Sequence, residues 1–148
     1  MWDLVTQYRI HGPVSKPLNA EQLAALNAAN TGFAQHIGME ITFCSGERLE
    51  CFLDVRPEHL QAGGVVNGGV YASIGETLGS AGAIATSGQP AVGMSNTTDL
   101  LKSVSGGRIE AIATPVHRGA RTHLWRIEMH NDRQLVAVTN LKLMLLAG

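Results

Sequence analysis

Glu76 is the one formally charged side chain between His59 and Thr98, and it sits in a run of small and apolar residues, GGVVNGGVYASIGETLGSAGAIA. A carboxylate in apolar surroundings is costly to keep ionised unless something solvates or uses it, which makes Glu76 a candidate catalytic group. Ser80 stands four residues on and would share its helical face. At the head of the same segment, Gly68 and Gly69 would leave backbone N–H groups free at the positive end of a helix dipole, a place suited to an anion. An acid, a hydroxyl and an anion-friendly turn are thus gathered on one element. The plainer alternative is a glutamate facing water and a serine bonded back to a helix carbonyl.

These groups need a helix to hold them. The turn Asn67-Gly68-Gly69 breaks an extended run, and residues 70–85 then follow a helical period. Val70, Ile74, Leu78 and Ala81 form an apolar stripe, and Ala72, Gly75, Gly79 and Gly82 a stripe of small residues. Glycine weakens a helix by ~1 kcal/mol relative to alanine, so this many of them predicts close packing. Residues 18–30 read as an amphipathic helix with Asn19 as N-cap, and 33–37 as a further turn. Strand-like alternation follows at Met39–Cys44 and 48–55. After the long helix come extended runs at 91–104, 107–117, 122–130 and 134–146. Their joints, Ser105-Gly106-Gly107, Arg118-Gly119-Ala120-Arg121 and Asn131-Asp132-Arg133, have the composition of hairpin turns. One helix on an antiparallel sheet of about six strands leaves its other side in need of a cover, which a second subunit could supply.

Composition excludes several classes of function. The 148 residues fit one domain, divided into an N-terminal helical extension (1–32) and a main body (33–148), and a net charge of −1 offers no basic field for nucleic acid or a membrane surface. Cys44 and Cys51 have neither a C-x-x-C spacing nor a disulfide-rich setting, and read as reduced thiols on adjacent strands. The start, MWDLVTQYRIHGP, lacks the pattern of a secretory leader, and the glycine-rich helix is too polar to span a bilayer, so a cytoplasmic protein is expected. His117 and His123 flank a turn without a third ligand in view, and no metal site is expected. Trp125 reads as core, and Tyr71 either lines a pocket or fills the core.

The chain resembles the hotdog-fold acyl-CoA thioesterases, in the PaaI-type branch that includes hydroxybenzoyl-CoA and dihydroxynaphthoyl-CoA thioesterases. Those enzymes carry a His-Gly-Gly turn and an acid nine residues after the histidine. Here the turn is Asn67-Gly68-Gly69, the acid is Glu76, the hydroxyl four residues later is Ser80, and the loop glutamine six residues before the turn is Gln61. Ala91-Val92-Gly93 and Pro115-Val116-His117-Arg118-Gly119 through Trp125 are similar to strands of one subgroup. The likeness covers about 33–146, and matched positions at fixed spacing are more specific than any one of them.

The resemblance implies an α+β hotdog fold, with a long central helix wrapped by the sheet. It also implies homodimers joined edge to edge, assembling into a homotetramer, with Gln61 and Gly68 of one subunit facing Glu76 and Ser80 of the other. The Gly68 N–H would hold the thioester carbonyl, Gln61 would position it, Glu76 would act as nucleophile or general base, and Ser80 would orient the carboxylate or water. Arg118 and Arg121, with Lys102 as a third contact, would meet the phosphates of coenzyme A, which is part of the substrate, so no separate cofactor is implied. Two departures stand out. Asn67 replaces the histidine and cannot transfer a proton near neutral pH. Asp99-Leu100-Leu101 occupies a stretch that is polar or holds histidine in some relatives, which bears on the acyl group accepted. The implied function is hydrolysis of an acyl-CoA, with aryl acyl groups preferred, and the alternative is a non-catalytic acyl-CoA binder or ligand sensor.

Overall fold

The computed structural model describes residues 13–146; nearly all of the N-terminal stretch read for a leader lies outside them. In chain order the elements are α1 (Ala20–Ala29), α2 (Phe33–His36), β1 (Met39–Cys44), β2 (Leu49–Asp54), a single 3-10 turn (Pro57–His59), α3 (Gly68–Ser87), β3 (Ala91–Leu100), β4 (Arg108–Arg118), β5 (Thr122–Asn131) and β6 (Gln134–Leu145). The six strands form one antiparallel sheet in the order β1-β2-β4-β5-β6-β3. The sheet wraps α3, as expected.

Helix α3 begins and ends where local chemistry dictates. The Asn67 side chain accepts the Gly69 N–H at 2.8 Å, so the helix starts at Gly68. It stops at Gly88, whose φ of 68° lets the chain turn off through the left-handed region while its N–H caps Ile84 O. Ile74, Leu78 and Ile84 are fully buried, each contributing about 1.5–3 kcal/mol of hydrophobic stabilisation. The small residues let the sheet come close: a Cβ at Gly75 would fall 2.7 Å from Cβ of Thr139, and one at Gly82 would fall 2.7 Å from the Trp125 ring. Trp125 is core.

The two edges of the sheet differ. At β1, Asn27 of α1 satisfies the edge: its Nδ2 donates to Ile41 O and its Oδ1 accepts from Ile41 N–H, both at 2.8 Å. Leu26, from the same helix, is buried in the common core. At the other edge, no described residue covers β3 in this way, and among the described residues Val92 through Thr97 are exposed along it. A ten-residue open edge is a template for pairing with another chain.

One expectation is corrected. Ser105-Gly106-Gly107 is not a hairpin turn, because β3 pairs with β6 and not with β4. Strand β3 ends at Leu100, four residues short of the expected 104, and the chain crosses past β6 and β5 to enter β4 in the interior of the sheet. Composition marks a turn, but the partner of the next strand is set by packing over α3. The two cysteines lie on the paired strands β1 and β2 as free buried thiols, and burial pushes the Cys44 thiol up to about 12.

Candidate active site

The loop before α3 is built to present Gln61 and Gly68. His59 is buried and fixed at both nitrogens: Nδ1 accepts the Arg56 N–H at 2.9 Å, and Nε2 donates to Ile37 O at 2.8 Å. From there a small antiparallel bridge, Leu60 to Val66, turns at Gly64 and is tied to the crossover by Val66 N–H donating to Val104 O at 2.7 Å. Asn67 N–H donates to His59 O at 2.9 Å and so fixes where the helix starts. The result is a cavity of about 240 Å³ lined by Gln61, Val65, Val66, Gly68, Tyr71, Leu100, Leu101, Lys102 and Ser103. The Gly68 N–H takes no partner from the described residues. Leu100 packs on Gly68 so closely that a Cβ there would fall 2.7 Å from Leu100 Cδ1.

Glu76 lies elsewhere, in an open cavity of about 470 Å³ lined by Phe33, Ala72, Ser73, Glu76, Thr77 and Asn96. It is partly exposed, and no described residue holds its carboxylate by a hydrogen bond or ion pair. Its nearest backing is Gly93 of β3, where a Cβ would overlap Oε1 and come within 2.9 Å of Oε2. Asn96 donates to Ala72 O at 2.9 Å and pins this part of the strand to the helix. An adjoining cavity of about 360 Å³ shares Phe33 and Ser73 and holds Asn67. Ser80 is buried one turn beyond Glu76, and no hydrogen bond joins the two.

Gly68 and Glu76 are eight residues apart on one helix, about 12 Å along its axis. A single carbonyl group cannot touch both in one chain. The structure therefore brings Gln61 and Gly68 together and leaves Glu76 separate from them.

Residues 63–138 match the sequence profile of the thioesterase superfamily, a span that includes Asn67, Gly68, Glu76 and Ser80 and begins two residues after Gln61. The chain is 33% identical over 114 residues to the proofreading thioesterase EntH of Cronobacter turicensis, covering 75% of this chain and 83% of that protein. The chain belongs to the thioesterase superfamily. The 1,4-dihydroxy-2-naphthoyl-CoA hydrolase of Escherichia coli is 29% identical over 114 residues, with 75% and 84% of the two chains covered. A solved thioesterase from Haemophilus influenzae superposes with a TM-score of 0.81 at 27% identity, over 90% of this chain and 94% of that one. The fold is the hotdog, and the protein is a thioester hydrolase.

The basic residues of this thioesterase do not form one group. Arg118 and Arg121 sit at the β4–β5 turn, where Arg118 Nη1 already pairs with Glu47 Oε1 at 2.7 Å across exposed surface. Lys102 lies at the other end of the sheet. Its N–H bonds Val136 O, whereas Arg118 is level with Leu143 through His123, seven residues or roughly 23 Å along β6. Within one chain Lys102 lines the Gln61 cavity instead, with its ammonium donating to Gln134 Oε1. His117 is exposed and His123 is buried, and burial followed by the charges of Arg118 and His117 holds the His123 imidazole below its ordinary pKa. Among the described residues no group of three His, Cys, Asp or Glu side chains is placed to hold a metal, and no helix is long and apolar enough to cross a membrane.

Phe33 lines the cavity that holds Glu76 and Gly93 backs its carboxylate, contacts that spacing alone does not single out. The backbone at Gly93 is outside the left-handed region, so alanine fits the strand, but its methyl group would push the Glu76 carboxylate aside. Gly93→Ala is expected to lower kcat/KM by at least ~10-fold, since small misplacements of a reacting group carry large rate penalties. The melting temperature should hold, because the displaced group is the end of a flexible side chain. Parent-like turnover would show that Glu76 does not act from this position.

Proposed function

We propose that this thioesterase hydrolyses an acyl-CoA to the free acid and coenzyme A, in a site completed by two copies of the chain. The observation that carries this reading is the separation of Gly68 from Glu76 along α3, next to an open β3 edge that exposes Val92, Met94 and Leu100. Pairing of two β3 edges would cover that apolar surface and bring Glu76 of one copy toward the Gln61 cavity of the other. Coenzyme A as the thiol, and an aryl acyl group as the preferred acid, draw support from the naphthoyl-CoA hydrolase among the relatives.

In the proposed reaction the Gly68 N–H, backed by the dipole of α3, donates to the thioester carbonyl oxygen and stabilises the negative charge that develops there. Gln61 positions the same group. Glu76 of the partner copy attacks the carbonyl carbon itself or takes a proton from the water that does. The C–S bond breaks, and the coenzyme leaves as a thiolate that is protonated from solvent; where Glu76 is the nucleophile, water then attacks the mixed anhydride, breaking its C–O bond to release the acid and regenerate the carboxylate. Ser80, buried one turn beyond Glu76 on the same helix, would orient the carboxylate or the attacking water. Arg118 and Arg121 meet the phosphates at the surface, and Lys102 can join them only across a subunit boundary. No group beyond the coenzyme of the substrate is required.

Asn67 acts here as the cap of α3. Its oxygen is engaged by Gly69 N–H, which leaves the amide NH2 as its free donor. Capping accounts for a residue that would otherwise favour a non-catalytic binder. Steady-state release of free thiol from a panel of aryl and alkyl acyl-CoAs tests the proposal: sustained turnover on at least one aryl member is expected, and stoichiometric binding without thiol release on any member would contradict it.

A further inference from the structure

The loop that carries Gln61 is closed by its own backbone. Gln61 N–H donates to Val65 O at 2.8 Å, and Gly64 N–H donates back to Gln61 O at 2.9 Å, inside the bridge from Leu60 to Val66. Within this turn the N–H of Gly63 goes to a side chain, and its acceptor is Gln61 Oε1. A backbone N–H can only donate, so the amide atom it meets is the oxygen, and chemistry settles which way round the Gln61 amide lies. The two hydrogens of its NH2 remain for another partner, on a side chain that lines the same cavity as Gly68.

Gly63 serves this arrangement by lacking a side chain as well as by its N–H. A Cβ there would fall 3.0 Å from Gln61 Oε1 and 3.2 Å from Nε2, closer than ordinary van der Waals contact. The backbone at Gly63 is outside the left-handed region, so main-chain strain is not what calls for glycine at this position. Its neighbour Gly64, with a φ of 81°, makes the turn. The two glycines thus have separate duties: Gly64 reverses the chain, and Gly63 receives the amide.

We propose that Gly63 is a positioning residue for the reaction: its N–H holds the oxygen of the Gln61 amide and its bare Cα leaves room for it, so that the NH2 end is the one offered to the substrate. The inference rests on the thioesterase reading above and adds how Gln61 is made ready to donate to the thioester carbonyl oxygen alongside the Gly68 N–H. The reverse orientation would set a lone pair against an oxygen on which negative charge develops, and removing one such donor lowers a rate by roughly 10²–10³-fold. An untethered glutamine would sample both orientations, and the Gly63 bond removes that freedom before the substrate arrives.

The test is a double-mutant cycle on the best acyl-CoA of the panel. Gly63→Ala should lower kcat about tenfold, with KM within about twofold of the parent and an unchanged melting temperature, because the group that gives way is the end of a flexible side chain. In a Gln61→Ala background, itself down by ~10²-fold, Gly63→Ala should change kcat by less than about twofold. Equal losses in the two backgrounds, or a parent-like kcat in Gly63→Ala, would overturn the proposal. Gln61→Glu keeps an oxygen for the Gly63 N–H but has no NH2, and should fall at least as far as Gln61→Ala; retained activity would show that the oxygen end serves the substrate and would also overturn it. The bond itself is read without turnover: in hydrogen exchange followed by NMR, the Gly63 N–H should exchange about fivefold faster in Gln61→Ala than in the parent, and equal rates would again overturn the proposal. Thiol release that Glu76→Gln abolishes establishes the thioesterase reading separately, whatever Gly63 does.

Discussion

Replacing Glu76 by glutamine is expected to lower thioester hydrolysis by at least ~10²-fold, the usual loss when a general base or nucleophile is removed. The substitution keeps the size and most of the shape of the side chain, and takes away both its negative charge and its basicity. It should leave stability alone. The carboxylate makes no hydrogen bond or ion pair with the described residues, it lies in an open cavity, and its near neighbour is the bare backbone of Gly93. Thermal melting and the oligomeric state should therefore match the parent, while thiol release on the best substrate of the panel falls to near background. A variant that turns over at close to the parent rate would remove Glu76 from the chemistry, whatever its surroundings suggest.

The architecture was legible where local physics sets it. The anomalous charge of Glu76, the Asn67-Gly68-Gly69 turn and the apolar stripe ending at Ala81 place α3 within two residues at each end, and Asn67 and Gly88 explain those two residues as caps. The N-cap at Asn19 follows equally from sequence, because its partner Gln22 is three residues away. Non-local facts were not legible. The Ser105-Gly106-Gly107 segment has the residues of a hairpin, yet the strand that follows pairs elsewhere, and no local preference encodes that choice. Arg118, Arg121 and Lys102 read as one basic group only while their places along β6 are unknown. Gly93 belongs to a segment that the sequence already marks as family-like, but that a carboxylate from another element rests on its backbone is a property of the assembled fold. The sequence leaves Tyr71 between pocket and core, and the fold places it in both, buried and lining the Gln61 cavity.

The central claim, that one site takes Gln61 and Gly68 from one copy and Glu76 from another, has its most direct test in mixed subunits. Glu76→Gln and Gln61→Ala chains are each expected to be nearly inactive as pure proteins, the first through loss of the reacting carboxylate and the second through loss of the group that positions the carbonyl. Co-refolded together, they form hybrids in which the intact Gln61 of one chain faces the intact Glu76 of the other. Random pairing makes half the dimers hybrid, each with one complete site of two, so roughly a quarter of the parent activity should return. Recovery of that order is the result predicted here. Hybrid dimers confirmed by mass that release no more thiol than either pure variant would contradict the shared site and place the whole reaction within a single chain.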